Sequence, residues 1–281
     1  MQNTVKEFSL DKGIGLHSGK ISKLHFLPAN ENSGIIFRRI DLDNRPEIKA
    51  TFDNVVDTVN STNLGIDGKM MVRTIEHLMC ALYMANIDNA IIEIDNEEMP
   101  IFDGSAKIFY EELTKNISLQ NAPRKKLIIK KEIAFTDEKG NSIVAKPHNP
   151  FKINFEIEFP SKVIGKQNFS NDINPEIFEK EIYDCRTFAE KFQVDYLQSI
   201  GLAKGGSLEN AVVVDGDRIL NPEGMNHQNE CVNHKVLDLI GDLYTSSYQV
   251  IGELSASRTG HFHSNQLLKK IFGDKSNYEI V

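Results

Sequence analysis

The stretch TIEHLMCALYM at residues 74–84 predicts an α-helix between β-rich segments. Its apolar residues recur at the i, i+3, i+4, i+7 spacing of one helix face: Ile75, Leu78, Met79 and Leu82. Thr74 is predicted to be the N-cap. Segments 20–27 and 34–40 before the helix, and the apolar run NAIIEID at 89–95 after it, are typical of strands. The first half of the chain therefore predicts a β–α–β arrangement.

The second half of the chain repeats this order of elements. Strand-like stretches at 126–135, 141–147 and 151–159 precede a long predicted helix at 228–248 and a strand at 249–254. In FKINFEIEF, the last of the three stretches, apolar residues alternate with other residues, which predicts a half-buried antiparallel strand. We therefore expect an α+β fold built from two domains of similar β–α–β topology.

A polar, proline-containing stretch, LQNAPRKKL at residues 119–127, separates the two halves. Such a stretch marks a domain boundary, which predicts one domain over residues 1–120 and a second over residues 126–281. The first domain is predicted to contain a further helix over residues 105–116. In the second domain, residues 186–214 predict a helix, a glycine-rich loop and a strand that ends in a hairpin signal.

The composition is that of an ordinary globular protein. At 281 residues the chain is long enough for two domains, and 40% hydrophobic with 26% charged residues excludes a disordered or fibrous protein. A formal net charge of -8 argues against nucleic acid as a partner, since nucleic-acid binding needs a basic face. The longest apolar runs fall far short of the roughly 20 residues that cross a bilayer, and the N-terminus lacks the features of a secretory signal. Three cysteines without a CxxC pair are typical of reduced thiols, so we expect a cytoplasmic protein with no integral membrane segment.

The long predicted helix carries imidazole and carboxylate groups on one side and an apolar stripe on the other. His234, Asp238 and Asp242 fall on the polar side. A His and an Asp at i, i+4 are close enough to ligate one divalent metal ion. The alternative interpretation is a solvated helix face without a ligand.

His77 lies among apolar neighbours on the first helix and follows Glu76. The alternative for this residue is a core histidine with a satisfied hydrogen bond. A catalytic zinc site commonly has three His or Asp/Glu ligands, an open position for water and a nearby carboxylate that takes the proton of that water. His77, His234 and Asp238 are therefore the candidate ligands and Glu76 the candidate base. Because the ligands come from both halves of the chain, the site is expected between the domains.

Two further segments contain histidines that chemistry could use. In SRTGHFHS, one of His261 and His263 is a candidate protonated imidazole whose other ring nitrogen is held by Asp242; the alternative is a surface pair without function. His17 lies in the glycine-flanked turn GIGLHSG, where the backbone could approach a ligand.

Seven ordered segments carry a family resemblance: GIGLHSGK, TIEHLMCAL, MPIFDGSA, CRTF, LAKGGSLENAVVVD, NHKVLDLIGDL and TGHFHSN. In this order and spacing they resemble the UDP-3-O-acyl-N-acetylglucosamine deacetylases, zinc amidases of bacterial lipid A synthesis. The resemblance runs from about residue 7 to about residue 268. It implies two α+β domains whose helix layers face each other between two sheets.

The resemblance also implies a role for each candidate residue. His77, His234 and Asp238 match the zinc ligands, although Fe²⁺ suits the same donors. Glu76 matches the general base and His261 the proton donor. The remaining matches are Asp242, which orients that histidine, Thr187, which assists the oxyanion, and Lys235, which binds the polar part of the UDP-sugar.

An insert over about residues 183–214 is implied to hold the acyl chain of the substrate. The residues expected to contact the substrate there are Val194, Ala203, Gly206, Ser207 and Val213, with Phe188 at the channel mouth and His17 nearby. The expected reaction is hydrolysis of the N-acetyl group of UDP-3-O-(3-hydroxyacyl)-N-acetylglucosamine. The implied partner is this small UDP-sugar lipid precursor, and a monomer is expected.

Two positions depart from the family pattern. Ala189-Glu190 stands where many members have Gly-Phe, and Ser61 stands where many carry a cysteine beside the metal. The first departure leaves open a sugar-nucleotide or lipid binding module without catalysis. A metal amidase acting on another acetamido sugar is a third hypothesis, against which the apolar GGSLENAVVVD segment argues. Because some members are fused to a dehydratase domain, half of such a fusion is also compatible with the sequence.

Overall fold

Two five-stranded mixed sheets form the frame of the protein. The computed structural model describes residues 1–281, apart from the side chain of residue 11. The strands of the first half, in chain order, are β1 Asn3–Val5, β2 Phe8–Ile14, β3 Ile21–Pro28, β4 Ile35–Arg39, β5 Glu47–Lys49, β6 Val55–Asp57, β7 Asn63–Ile66, β8 Lys69–Val72, β9 Ala90–Ile94 and β10 Ile117–Leu119. Those of the second half are β11 Lys126–Ile129, β12 Ile133–Thr136, β13 Ser142–Lys146, β14 Lys152–Glu158, β15 Lys166–Asp172, β16 Phe188–Glu190, β17 Val212–Asp215, β18 Arg218–Ile219, β19 Gln249–Ile251, β20 Glu253–Ser257 and β21 Tyr278–Ile280.

Helices connect and cover these sheets. The α-helices are α1 Glu76–Met84, α2 Lys107–Lys115, α3 Pro175–Ile177, α4 Lys191–Ser199, α5 Glu230–Tyr244 and α6 His261–Gly273. A π-helical turn over Phe178–Ile182 continues α3, and short 3₁₀ turns lie at Phe52–Asn54 and Lys275–Asn277. Across the described residues, no helix combines the length and the apolar character needed to cross a bilayer.

The two five-stranded sheets have the same topology. The strand order is β2-β3-β9-β4-β5 in the first sheet and β12-β13-β20-β14-β15 in the second. In each sheet the central strand is antiparallel to the neighbour on one side and parallel to the neighbour on the other. The α+β class and the similar topology of the two halves are therefore confirmed. Every named strand pair also lies on one side of residues 120–126, although the domain boundary itself stays a prediction.

Helices α1 and α5 pack against each other where the two halves meet, while α2 packs on α1 and α6 on α5. All residues of α1 are buried, and in α5 every residue except Lys235 is buried. Alternate residues of β9 and β14 are buried as well, so the sheets present one face to this helix layer. One continuous apolar core spans both halves. The polar groups of α1 and α5 consequently lie in the interior.

Several local predictions need correction. Thr74 does not cap α1, because the helix begins at Glu76 and the Thr74 hydroxyl donates to Glu98 instead. Strand β14 pairs antiparallel with β15 but parallel with β20, so it is only partly the predicted antiparallel strand. The long helix ends at Tyr244, four residues before its predicted end at 248. The strand predicted after it is divided at Gly252 into β19 and β20.

Candidate active site

The crossing of α1 and α5 brings His77, His234 and Asp238 together in the interior. Each of the three is at most 5% exposed. His77 Nε2 lies 3.6 Å from Asp238 Oδ1, and His234 Nε2 lies 3.4 Å from the same oxygen. The two imidazole rings meet edge to face with their centres 5.0 Å apart. Helix α1 thus supplies one candidate metal ligand and helix α5 supplies the other two.

These three residues fit a divalent cation. Ligand atoms about 2.0–2.1 Å from one tetrahedral cation lie roughly 3.4 Å from each other, which matches the two distances to Asp238. Within the described residues, neither Asp238 Oδ1 nor His77 Nδ1 has a hydrogen-bond partner, although both atoms are buried. A buried polar atom without a partner is costly, and a bound cation would satisfy the carboxylate oxygen.

The protonation states of the group also suit metal binding. Burial lowers the pKa of His77 to about 3 and lowers that of His234, so both imidazoles are neutral. Burial alone would raise the pKa of Asp238, but Lys235 and His234 hold it below its usual value. His234 Nδ1 donates to the Cys185 carbonyl at 3.0 Å, which leaves Nε2 free to face Asp238.

Glu76 lies beside this group with its carboxylate buried. The backbone N–H of Thr62 donates to Glu76 Oε2 at 3.0 Å, and Glu76 Oε1 is 3.9 Å from His261 Nε2. Burial raises the pKa of Glu76 to about 7, although His261 acts in the opposite direction. A carboxylate with such a pKa can accept a proton near neutral pH.

His261 lies next to Glu76 and is held by Asp242. Its Nδ1 is 3.1 and 3.0 Å from the two carboxylate oxygens of Asp242. Burial alone would lower the pKa of His261, but Asp242 and Glu76 raise it to about 9. The imidazole is therefore cationic at neutral pH and can act as a proton donor. His263 also lines the cavity, but its Nε2 pairs with Asp137 at 3.1 Å rather than with Glu76 or Asp242.

Thr62 connects Glu76 with Asp242, the partner of His261. Sequence analysis missed this residue. Its hydroxyl donates to Asp242 Oδ1 at 2.6 Å while its backbone N–H donates to Glu76. The neighbouring Ser61 uses its hydroxyl to donate to Asn63 Oδ1 at 3.0 Å. In this segment the sequence indicates only the departure from the family pattern at Ser61. Thr62 and Asp242 are 180 positions apart, so their contact leaves no local sequence pattern.

A cavity of about 1270 Å³ opens from the His77–His234–Asp238 group to the surface. Every residue predicted for catalysis, metal binding or substrate contact lines this cavity except Asp242, which lies behind His261. The lining residues among those predictions are His17, Glu76, His77, Thr187, Phe188, Val194, Ala203, Gly206, Ser207, Val213, His234, Lys235, Asp238 and His261. Further apolar wall residues that sequence analysis missed are Phe192, Leu197, Ile200, Leu202 and Leu208.

The cavity has a polar end and an apolar end. Lys235 Nζ lies 2.5 Å from Asp238 Oδ2, beside the three clustered donors. The ring of Phe188 packs edge to face on that of His234, with centres 6.4 Å apart. Beyond Phe188 the walls come from α4 and the following loop, which form a largely apolar channel. The arrangement can hold a polar reacting group and an attached aliphatic chain at the same time.

The acidic residue at position 190 occupies the N-cap position of helix α4. The Glu190 backbone N–H donates to Gln193 Oε1 at 3.0 Å. The Gln193 side chain thus satisfies a backbone N–H at the start of α4. Glu190 therefore lies at the N-terminus of α4, where the helix dipole stabilises a negative charge, and this explains an acid so close to an apolar channel.

A second set of potential ligands is formed by Asp184, Cys185 and His227, none of which lines the cavity. Its groups already have partners. His227 Nε2 is 2.6 Å from Asp184 Oδ1, and Cys185 Sγ donates to the Glu181 carbonyl at 3.1 Å. The first set differs because its shared carboxylate oxygen has no such partner among the described residues.

Fold and site together define a two-sheet α+β protein with a buried His–His–Asp group at the base of an apolar channel. Comparison with known proteins identifies the family. A family model described as "LpxC: UDP-3-O-acyl N-acetylglycosamine deacetylase" matches residues 2–273. The chain belongs to this family.

Curated relatives cover nearly the whole chain. A protein of Teredinibacter turnerae is 42% identical over 283 aligned positions, which span 100% of this chain and 93% of the relative. One of Aliarcobacter butzleri is 42% identical over 272 positions, or 96% of this chain and 89% of the relative. One of Bdellovibrio bacteriovorus is 39% identical over 282 positions, with 100% and 93% covered. All three are named UDP-3-O-acyl-N-acetylglucosamine deacetylase.

Proposed function

We propose that the chain hydrolyses the N-acetyl group of UDP-3-O-(3-hydroxyacyl)-N-acetylglucosamine, giving the free 2-amine and acetate for lipid A biosynthesis. The observation that carries this proposal is the buried His77–His234–Asp238 group with Glu76 and His261 beside it, at the base of an apolar channel. Family membership supports the same reaction, since the relatives carry the name of this deacetylase.

His77, His234 and Asp238 would hold the catalytic metal ion, for which Zn²⁺ and Fe²⁺ are both suitable. Such an ion would supply Lewis-acid chemistry: it would acidify water and polarise an acyl oxygen. Lys235 stabilises the charged form of Asp238, and the Cys185 carbonyl fixes the tautomer of His234. The chain thereby presents two neutral imidazoles and one carboxylate to the ion.

Proton transfer is assigned to Glu76 and His261, whose Oε1 and Nε2 atoms lie 3.9 Å apart. Glu76 takes a proton from the attacking water as the new C–O bond forms. His261 gives its proton to the amide nitrogen as the C–N bond breaks, which releases the free amine. Asp242 holds the other nitrogen of His261 in the orientation that this transfer needs. The Thr187 hydroxyl, in the cavity wall, assists the oxyanion.

Substrate binding is assigned to the two ends of the cavity. Lys235 and His17 bind the polar part of the UDP-sugar, while Val194, Ala203, Gly206, Ser207 and Val213 line the channel for the 3-hydroxyacyl chain. Phe188 separates the two regions. A small acetamido sugar would leave this apolar channel empty, which favours the acylated substrate.

The chain is also proposed to act in the cytoplasm. Its three cysteines are free and buried. Free thiols persist in a reducing compartment.

The test is acetate release from the acylated UDP-sugar by the metal-loaded protein and by Glu76→Gln. We expect the variant to lose about 10²- to 10⁴-fold in kcat, since general base catalysis contributes that much, while its metal content is unchanged. Asp238→Asn should instead lose metal. Glu209→Gln, a charge change at an exposed position of the insert, is the matched control. A metal-loaded wild-type protein that binds the substrate but releases no acetate would identify a binding module and refute the proposal.

A further inference from the structure

Glu98 is a buried carboxylate that the proposed reaction does not use. Its side chain is fully buried and accepts hydrogen bonds from two different parts of the chain. The backbone N–H groups of His17 and Ser18 donate to it at 2.8 and 2.6 Å. The Thr74 hydroxyl donates to it at 3.2 Å. Glu98 therefore joins the loop of His17 to the turn that precedes α1.

The backbone around Glu98 is shaped for this contact. A Cβ atom at Gly15 would lie 2.5 Å from Glu98 Oε2, so only glycine leaves room for the carboxylate against the loop. The same loop contacts the insert, because the Gly205 N–H donates to the Leu16 carbonyl at 3.0 Å. A displacement of the loop would therefore also move the channel wall.

Thr74 is held in an unfavourable conformation by its partners. Its φ is +60°, a left-handed value that β-branched residues rarely adopt. Asn63 Oδ1 accepts from the Thr74 N–H at 3.1 Å, and Glu98 accepts from its hydroxyl. Strain of this kind persists only where surrounding contacts fix it, and here it lies two residues before Glu76.

His17 is the residue whose position depends most on this arrangement. It is only 4% exposed, and within the part of the chain that the structure describes neither of its ring nitrogens has a hydrogen-bond partner. The residue lines the cavity. An unpartnered buried imidazole at a cavity wall is placed to contact a bound ligand, and its backbone N–H is fixed by Glu98.

We infer that Glu98 is a positioning residue that sets substrate affinity by holding His17 in register with the Thr74 turn at the start of α1. This inference rests on the proposed function in one respect, namely that His17 contacts the substrate. Glu98 itself lies behind the loop and does not touch the reacting group.

Glu98→Gln isolates the effect of the charge and of one acceptor. The glutamine amide retains the shape of the side chain. Its NH₂ group, however, must face one of the donors that hydrogen-bond to the Glu98 carboxylate. We expect KM to rise about tenfold with kcat changed less than threefold, because Glu76 and His261 are untouched. Metal content should match that of the wild type, whereas Tm should fall by a few degrees because the amide leaves a buried donor without an acceptor.

A double-mutant cycle with His17→Ala identifies the route of the effect. If Glu98 acts through His17, the Glu98→Gln substitution changes KM by less than twofold in the His17→Ala background, since coupled residues are not additive. Independent, multiplicative effects on KM would overturn the inference. So would a folded, metal-loaded Glu98→Gln protein with an unchanged KM.

Two further measurements keep the test valid if Glu98→Gln folds poorly or if the substrate assignment is wrong. Thr74→Ala removes one hydrogen bond to Glu98 and should raise KM a few-fold, whereas Thr74→Ser should restore it; equal KM values for the two would contradict the inference. Amide hydrogen exchange at His17 and Ser18 should be faster in Glu98→Gln, and this readout needs no turnover. Unchanged exchange refutes the positioning role, while absent acetate release by the wild type refutes only the proposed function.

Discussion

Gly241 on α5 lies against Glu76 on α1 so closely that a Cβ atom at Gly241 would be 2.0 Å from the Glu76 carbonyl oxygen. The contact allows the two helices to approach until His77 and Asp238 share one site. Glycine inside a helix costs about 0.5–1 kcal/mol relative to alanine. This destabilising glycine lies at position 241, where the two halves of the protein meet around the site.

Gly241→Ala should separate α1 from α5 and weaken metal binding. The methyl group meets backbone atoms rather than a flexible side chain, so a helix has to move. We expect a lower Tm and at least a tenfold lower affinity for Zn²⁺, measured by competition with a chelator. Gly273→Ala is the matched control, since nothing lies within 4 Å of a Cβ there. Equal metal affinity in both variants would show that the close crossing does not set the donor spacing.

The basic limb of the pH profile should belong to His261. Burial lowers the pKa of this imidazole, but Asp242 and Glu76 raise it to about 9, so the protonated donor is lost only above that pH. The value of kcat/KM should therefore fall at high pH in the wild type. Asp242→Asn removes a group that raises the pKa, and the limb should move to lower pH.

His261→Gln supplies the control for this assignment. Glutamine cannot give a proton to the amide nitrogen, so activity should fall about 10²- to 10⁴-fold and the basic limb should disappear. A limb that persists unchanged in His261→Gln would assign that titration to another group.

The three candidate metal ligands can be predicted from the sequence, whereas the residues that hold the surrounding groups in place cannot. His234 and Asp238 are i, i+4 neighbours opposite an apolar stripe, and His77 lies on a helix with clear periodicity. Those local patterns place the three donors on the two helices that cross. Thr62 and Glu98 have no such pattern, because their partners are distant in sequence and come together only when the sheets are formed.

Helix starts were predicted least well. Thr74 has a side chain that is suitable for an N-cap, but its hydroxyl donates to the buried carboxylate of Glu98 instead. The helix begins two residues later. His261 and His263 lie in the first turn of α6, which follows Gly260 and has no preceding Ser, Thr, Asp or Asn cap. Short strands such as β18, Arg218–Ile219, are too brief for any periodicity.

Loss of Glu230 should destabilise the folded protein. Its fully buried carboxylate accepts from Arg186 Nε and from the Arg186 backbone N–H, both at 2.9 Å. Without Glu230, the buried Arg186 guanidinium keeps only the partly exposed Glu223 and the Gly224 carbonyl as partners, and breaking a buried pair costs up to about 3–5 kcal/mol. Glu230→Ala should lower the free energy of unfolding by that amount in urea titrations. Glu279→Gln, which breaks an exposed pair with Lys130, should have little effect, and similar losses in both variants would contradict the prediction.

Val213→Phe should shorten the acyl chain that the channel accepts. Val213 lines the cavity and is only 8% exposed, whereas its neighbours Val212 and Val214 on β17 are fully buried in the core. A phenyl ring at this position therefore projects into the channel. We expect kcat/KM for a long-chain substrate to fall at least tenfold relative to that for a short-chain one, with metal content unchanged. Val213→Ala, which widens the same place, should leave the long-chain substrate preferred. If Val213→Phe lowers kcat/KM equally for both chain lengths, the ring disturbs the core instead and the channel does not bind the acyl chain at this strand.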